Sequence, residues 1–143
     1  MRVYLDTNIW IYAYEHDPVH GDPAKLFLQK LRAGRHRIAS SLFVLSELLV
    51  LPTRRKRDFI LASYQSLFSS PELVLLPYDL RATRRYAELR AQLKLKPLDA
   101  LHLAASASAG VDLFVTQDSG LLALASQSVP GIGRITDLHA ALA

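Results

Sequence analysis

The feature that most constrains this chain is an alternation. Short runs of strand-favouring residues repeatedly meet a capping or turn residue and then give way to helical periodicity. Val3-Tyr4-Leu5 runs into Asp6-Thr7-Asn8 and a helix over Ile9 to Glu15, capped by Thr7 or Asn8. Arg37-Ile38-Ala39-Ser40 hands over to a helix from Leu42 to Leu51 that Pro52 ends. Leu73-Val74-Leu75-Leu76 precedes Asp79, a cap for the next helix, and Val111 to Thr116 leads to the turn at Asp118. A short helix over Leu121 to Ser126, a short fifth strand over Gly133 to Thr136 and a helical tail follow. Strands alternating with helices close into a parallel sheet with right-handed crossovers and helices on both faces. The expectation is an α/β fold with four to five parallel strands. Without repeat, low-complexity tract or linker, residues 1–143 form one domain, a length that suits a single core.

In such a sheet the C-terminal ends of the strands share one edge, where ligands bind. Asp6 and Asp118 follow strands at that edge. Glu47 lies one to two turns into the helix after the second strand, and Asp99 opens the helix that leads into the fourth. Each acid has a bland alternative as a cap, a turn residue or, for Glu47, the partner of an Arg. The set is harder to explain that way. Carboxylates within ~4 Å repel by about 4 kcal/mol per pair at an effective dielectric near 20. A hard divalent ion resolves the conflict, and all-oxygen ligands suit Mg²⁺ or Mn²⁺. Glu47 is the only charge in an otherwise apolar helix, which reads as packed on several sides. His102, one turn beyond Asp99, reads as a hydrogen-bonded core residue rather than a ligand. The connection from His16 to Asp22 reads as a surface loop, its two His and two Asp matching no ligand spacing.

Composition narrows the classes. There is no cysteine, which excludes disulfides, a thiolate nucleophile and Cys-ligated zinc. No apolar run approaches the ~20 residues that cross a bilayer, and no signal-peptide pattern opens the chain, so the expectation is a soluble cytoplasmic protein without a membrane partner. Seventeen Lys and Arg against thirteen Asp and Glu leave a net charge of +4, which favours a polyanionic partner. The excess is concentrated in Arg54-Arg55-Lys56-Arg57, ahead of an amphipathic helix over Asp58 to Phe68, and in Arg81, Arg84, Arg85 and Arg90. Either cluster is a solvated face or a phosphate-contacting patch.

Taken in order, Leu5-Asp6-Thr7-Asn8, Ser40-Ser41 with Ser46-Glu47-Leu48, Leu98-Asp99-Ala100-Leu101-His102-Leu103-Ala104, and Phe114-Val115-Thr116-Gln117-Asp118 resemble the motifs of the PIN-domain nucleases. The likeness is nearest to VapC-type toxins of toxin–antitoxin pairs, and it runs from Val3 to about Ile135. One departure is Gln117, where the family usually has Asn. The resemblance implies a three-layer α/β/α fold and an acidic pocket for Mg²⁺ or Mn²⁺ made by Asp6, Glu47, Asp99 and Asp118. It gives Asn8 and Thr116 supporting roles in orienting carboxylates or water. It further implies endoribonuclease activity on RNA, a cognate antitoxin protein and a homodimer. Two rival readings of the same residues stay open. One is a phosphohydrolase with an Asp nucleophile, although Asn8 stands where that chemistry commonly has a second Asp. The other is a PIN-like binding module without catalysis.

Overall fold

The computed structural model describes residues 1–143. Five strands form one parallel sheet in the order β3-β2-β1-β4-β5: β1 (Arg2–Leu5), β2 (Arg37–Ser40), β3 (Leu73–Leu75), β4 (Val111–Val115) and β5 (Ile132–Thr136). The register pairs Val3 with Ile38 on one side and with Leu113 on the other. β1 is therefore central, and Val3, Tyr4 and Leu5 are wholly buried. Eight helices connect and cover the strands: α1 (Thr7–Tyr14), α2 (Gly21–Ala33), α3 (Leu42–Arg54), α4 (Asp58–Phe68), α5 (Leu80–Gln92), α6 (Pro97–Ala109), α7 (Ser119–Leu122) and α8 (Leu138–Leu142). α1 and α8 pack against α2, α5 pairs with α6, and α3 touches α1, α4 and α6. This is the expected three-layer α/β/α fold.

Local chemistry explains most of the boundaries. Pro97 opens α6 in the first turn, and Gly110 closes it in the left-handed conformation at φ 75°. The Ala- and Ser-rich face of α6 is buried at Ala100, Ala104, Ala105 and Ser106, which lets it approach its neighbours closely. Asp79 caps α5 by accepting from the Ala82 amide, as its position in the sequence suggests.

Four expectations need correction. α1 starts at Thr7, and its cap is Asp6, whose side chain accepts from the Thr7 amide; Asp6 keeps extended backbone angles and is the last residue before the helix. Pro52 does not end α3, which continues to Arg54. Pro52 removes its own donor within the last turn, and the amides of Arg55 and Arg57 close the end onto Leu51 and Pro52. Nor is α3 packed on several sides. Val44, Leu48 and Pro52 are buried, whereas Leu42, Val50 and Leu51 are 61, 53 and 40 % exposed. At the fold's far end, the expected 121–126 helix is α7 at Ser119–Leu122, capped by Asp118 and followed by turns.

Candidate metal centre

The order β3-β2-β1-β4-β5 means that the chain first builds outward from β1 on one side and then jumps back to β4 on the other. The crevice between the C-terminal ends of β1 and β4 is thus a topological switch point, where open α/β sheets bind ligands. Asp6 leaves β1 at this point, its amide still bonded to the Val115 carbonyl of β4. Its carboxylate is fixed at both ends. Oδ1 accepts from the Thr7 amide at 2.8 Å, and Oδ2 accepts from Thr116 Oγ1 at 2.7 Å. Thr116 is wholly buried, and the same hydroxyl accepts from the Asp118 amide at 3.0 Å. One threonine therefore ties the first acid to the turn that carries the last.

Glu47 reaches the crevice from the second turn of α3. Its Oε1 accepts from Thr7 Oγ1 at 2.7 Å and from His102 Nε2 at 2.8 Å. Burial opposes its ionisation, but these two hydrogen bonds together with the electrostatic attraction of His102 outweigh it and hold the pKa below the usual glutamate value. The ligand-capable atoms of Asp6, Glu47 and His102 lie within 4.8 Å of one another. His102, 1 % exposed, is hydrogen-bonded in the core as the sequence suggests, with Nδ1 held 2.6 Å from the Tyr4 hydroxyl. That hydroxyl also meets Ser41 Oγ at 2.8 Å. Burial first, and then the charges of Asp6 and Glu47, raise the Tyr4 pKa well above its ordinary value against a lowering bond from Ser41. Tyr4 stays a phenol.

Asp99 and Asp118 stand outside that 4.8 Å group but within its field. Asp118 Oδ1 accepts from the Leu121 amide and caps α7. Asp99 has its pKa raised by desolvation, then by the charges of Asp118 and Asp6, with His102 and Lys96 offsetting part of the effect. No hydrogen bond steadies it. Desolvation and the two neighbouring carboxylates thus act on Asp99 in the same direction.

The donor set suits a hard divalent ion: several carboxylates, free oxygens on Glu47 and Asp99, and no cysteine. Of the two residues given supporting roles, Thr116 donates to Asp6. Asn8 is exposed on the first turn of α1 and makes no side-chain hydrogen bond; its neighbour Thr7 is the one that reaches Glu47. Thr7 and Ser41 lie within the motifs that carry the resemblance, but nothing in the sequence assigned contacts to them or to Tyr4. Gln117, the departure from the family pattern, uses its Oε1 to accept from the Leu138 amide at the start of α8.

A family model for the PIN domain matches residues 3–126. The chain belongs to the PIN-domain family. Solved structures agree with this. The PIN-domain chain is similar to VapBC2 from Rickettsia felis, determined with a DNA fragment from its promoter, at 25 % identity over 96 % of this chain and 98 % of that one, with a TM-score of 0.74. A toxin–antitoxin complex from Klebsiella pneumoniae is 23 % identical over 91 and 94 % of the two chains, with a TM-score of 0.67. VapC20 of Mycobacterium tuberculosis, a Sarcin-Ricin loop cleaving toxin, shares the fold at 16 % identity over 78 and 86 %, with a TM-score of 0.62. No curated protein matches the chain.

Proposed function

We propose that this PIN-domain protein is a metal-dependent endoribonuclease and the toxin of a toxin–antitoxin pair. The observation that carries the reading is the meeting of Asp6 and Glu47, with Asp99 and Asp118 beside them, in the switch-point crevice. We assign these four acids to a site for Mg²⁺ or Mn²⁺. When bound there, the cation supplies Lewis acidity toward a phosphate oxygen and toward an attacking water. The chain's own part is positioning. Thr116 and the Thr7 amide fix Asp6, Thr7 and His102 fix Glu47, and Asp99 and Asp118 keep oxygens free of protein donors.

RNA as substrate is supported by charge. Arg54, Arg55, Lys56 and Arg57 are all exposed and join no ion pair, so they are available to a phosphate backbone that the acidic crevice repels. In the second cluster, Arg85 is committed to Glu88, Arg90 to Tyr86 and Arg81 to Asp79, which leaves Arg84 exposed and unpaired. An antitoxin partner is supported by the likeness to toxin–antitoxin assemblies and by a groove of about 900 Å³ between α2 and α4, where Trp10, Tyr14, Phe59 and Leu67 are rimmed by Arg32 and Arg35. A homodimer would cover the apolar side chains of Leu42, Val50, Leu51 and Leu80 that the chain itself leaves exposed. No helix is long and apolar enough to cross a membrane, and we place the activity in the cytoplasm, where its RNA would be.

The test is cleavage by protein freed of any copurifying partner, offered RNA or a small phosphomonoester with Mn²⁺, Mg²⁺ or EDTA. RNA cutting that needs metal and is lost in Asp6→Asn and Asp99→Asn variants that still fold is the expected result. Cutting that persists in EDTA overturns the metal reading, and hydrolysis of the monoester alone favours a phosphatase.

A further inference from the structure

Proximity alone would make His102 a third ligand beside Asp6 and Glu47. The hydrogen bonds say otherwise. Glu47 as a carboxylate has only lone pairs to offer, so His102 Nε2 carries the proton of their 2.8 Å contact. Its other nitrogen, Nδ1, is engaged by the Tyr4 hydroxyl, which in turn meets Ser41. A buried line of hydrogen bonds therefore runs from Ser41 through Tyr4 and His102 to Glu47. Both nitrogens of His102 are in use, and ligation would require it to give up Glu47 or Tyr4.

We propose that His102 and Thr7 are positioning residues that hold Glu47 by Oε1 so that Oε2 is the oxygen presented to a cation; the inference rests on the metal-site reading above. Glu47 has three rotatable side-chain bonds and is partly exposed on α3, so by itself it samples many positions. Two donors from two other helices, Thr7 on α1 and His102 on α6, converge on one of its oxygens and leave the other free. The His102 ring cannot follow Glu47 into solvent. Tyr4 on the central strand meets it edge-on at 6.0 Å between ring centres, and Phe43 does so at 6.1 Å from the other element that packs here. Thr7 has a matching anchorage, because its own amide is bonded to Asp6. The two most confined acids of the site are thus referred to one another through a single residue. Groups that orient a ligand in this way commonly govern metal affinity by about 10–100-fold.

The test is Mn²⁺ affinity of the purified full chain, read from the spin resonance of the free ion and from calorimetry, with circular dichroism to confirm folding. His102→Leu should weaken binding by about 10–100-fold, and His102→Gln, which keeps an amide donor, should stay within about threefold of the parent. Thr7→Val should weaken binding by about tenfold. RNA cleavage by His102→Leu should recover toward the parent kcat at saturating Mn²⁺, with KM for RNA unchanged. Parent-like affinity in His102→Leu, or equal losses in His102→Leu and His102→Gln, would overturn the proposal. If His102→Leu fails to fold, Thr7→Val decides it, and parent-like affinity there is equally fatal. Glu47→Gln separates the two levels of the argument: if its affinity is also unchanged, the metal assignment itself has failed, whereas a loss there without one at His102 and Thr7 refutes the positioning alone.

Discussion

The two sides of the acidic crevice are built on opposite plans. On the Asp6–Glu47 side every carboxylate is tethered: Asp6 by Thr116 and the Thr7 amide, Glu47 by Thr7 and His102. On the Asp99–Asp118 side the tethers thin out to one, the Leu121 amide on Asp118, and Asp99 has none. The pKa directions follow this division. Hydrogen bonds pull Glu47 down against burial, while burial and neighbouring charge push Asp99 up. One side is preorganised by the fold; under the proposed metal reading, the other would take its order from the bound cation.

The largest effect should come from removing a tethered acid. Asp6→Asn or Glu47→Gln should lower RNA cleavage by about a thousandfold or more, since a Lewis-acidic ion contributes several kcal/mol to the barrier. Single-turnover cleavage at saturating RNA measures it, and a loss confined to KM would speak against the assignment. Next comes the tether itself. Thr116→Val keeps the shape of the side chain and removes the donor to Asp6, so cleavage should fall by about 10–100-fold. The fold should lose about 1 kcal/mol from an acceptor left short of a partner, read from urea unfolding.

The untethered side should behave in the reverse sense. Asp99→Asn should abolish cleavage and yet raise the metal-free thermal midpoint by a few degrees, because it removes a charge the native state disfavours. The pH dependence separates the two acids by sign. Asp99 has a folded pKa above its unfolded value of 3.8, so the native state binds its proton more tightly and stability falls as pH rises through that interval. Glu47 has a folded pKa below 4.5, so its contribution is present above 4.5 and is lost as pH falls through the lower folded value. Urea unfolding of the parent, Asp99→Asn and Glu47→Gln across the acid range should show these opposed slopes, each variant losing the slope that its own carboxylate contributes. The smallest effect belongs to Gln117. Since its side chain serves α8 and not the acids, Gln117→Ala should cost about 1 kcal/mol of stability and leave cleavage nearly unchanged.

How far the sequence carried the reading differs across the same crevice. The parallel sheet was legible because each strand was a short apolar run ending in a cap or turn residue, and the positions of Asp6 and Asp118 followed from that. The roles of Asp6's neighbours did not follow. Whether Thr7 or Asn8 faces the acids depends on where α1 begins, and that is set by Asp6 acting as the cap. His102 could be placed one turn from Asp99, but its bond to Glu47 joins two helices 55 residues apart in sequence, and no local pattern encodes it. α3 misled for a related reason. An apolar helix announces that its faces need cover without saying that the chain itself covers only one of them.

Thermal unfolding of the metal-free chain, with and without Mn²⁺, tests most directly the idea that a cation completes this half-built site. Mn²⁺ at about a hundred times its dissociation constant should stabilise the parent by about 2.7 kcal/mol. The same addition should leave Glu47→Gln almost unmoved. A parent midpoint that ignores Mn²⁺, or a Glu47→Gln midpoint that rises as much as the parent's, would contradict the account.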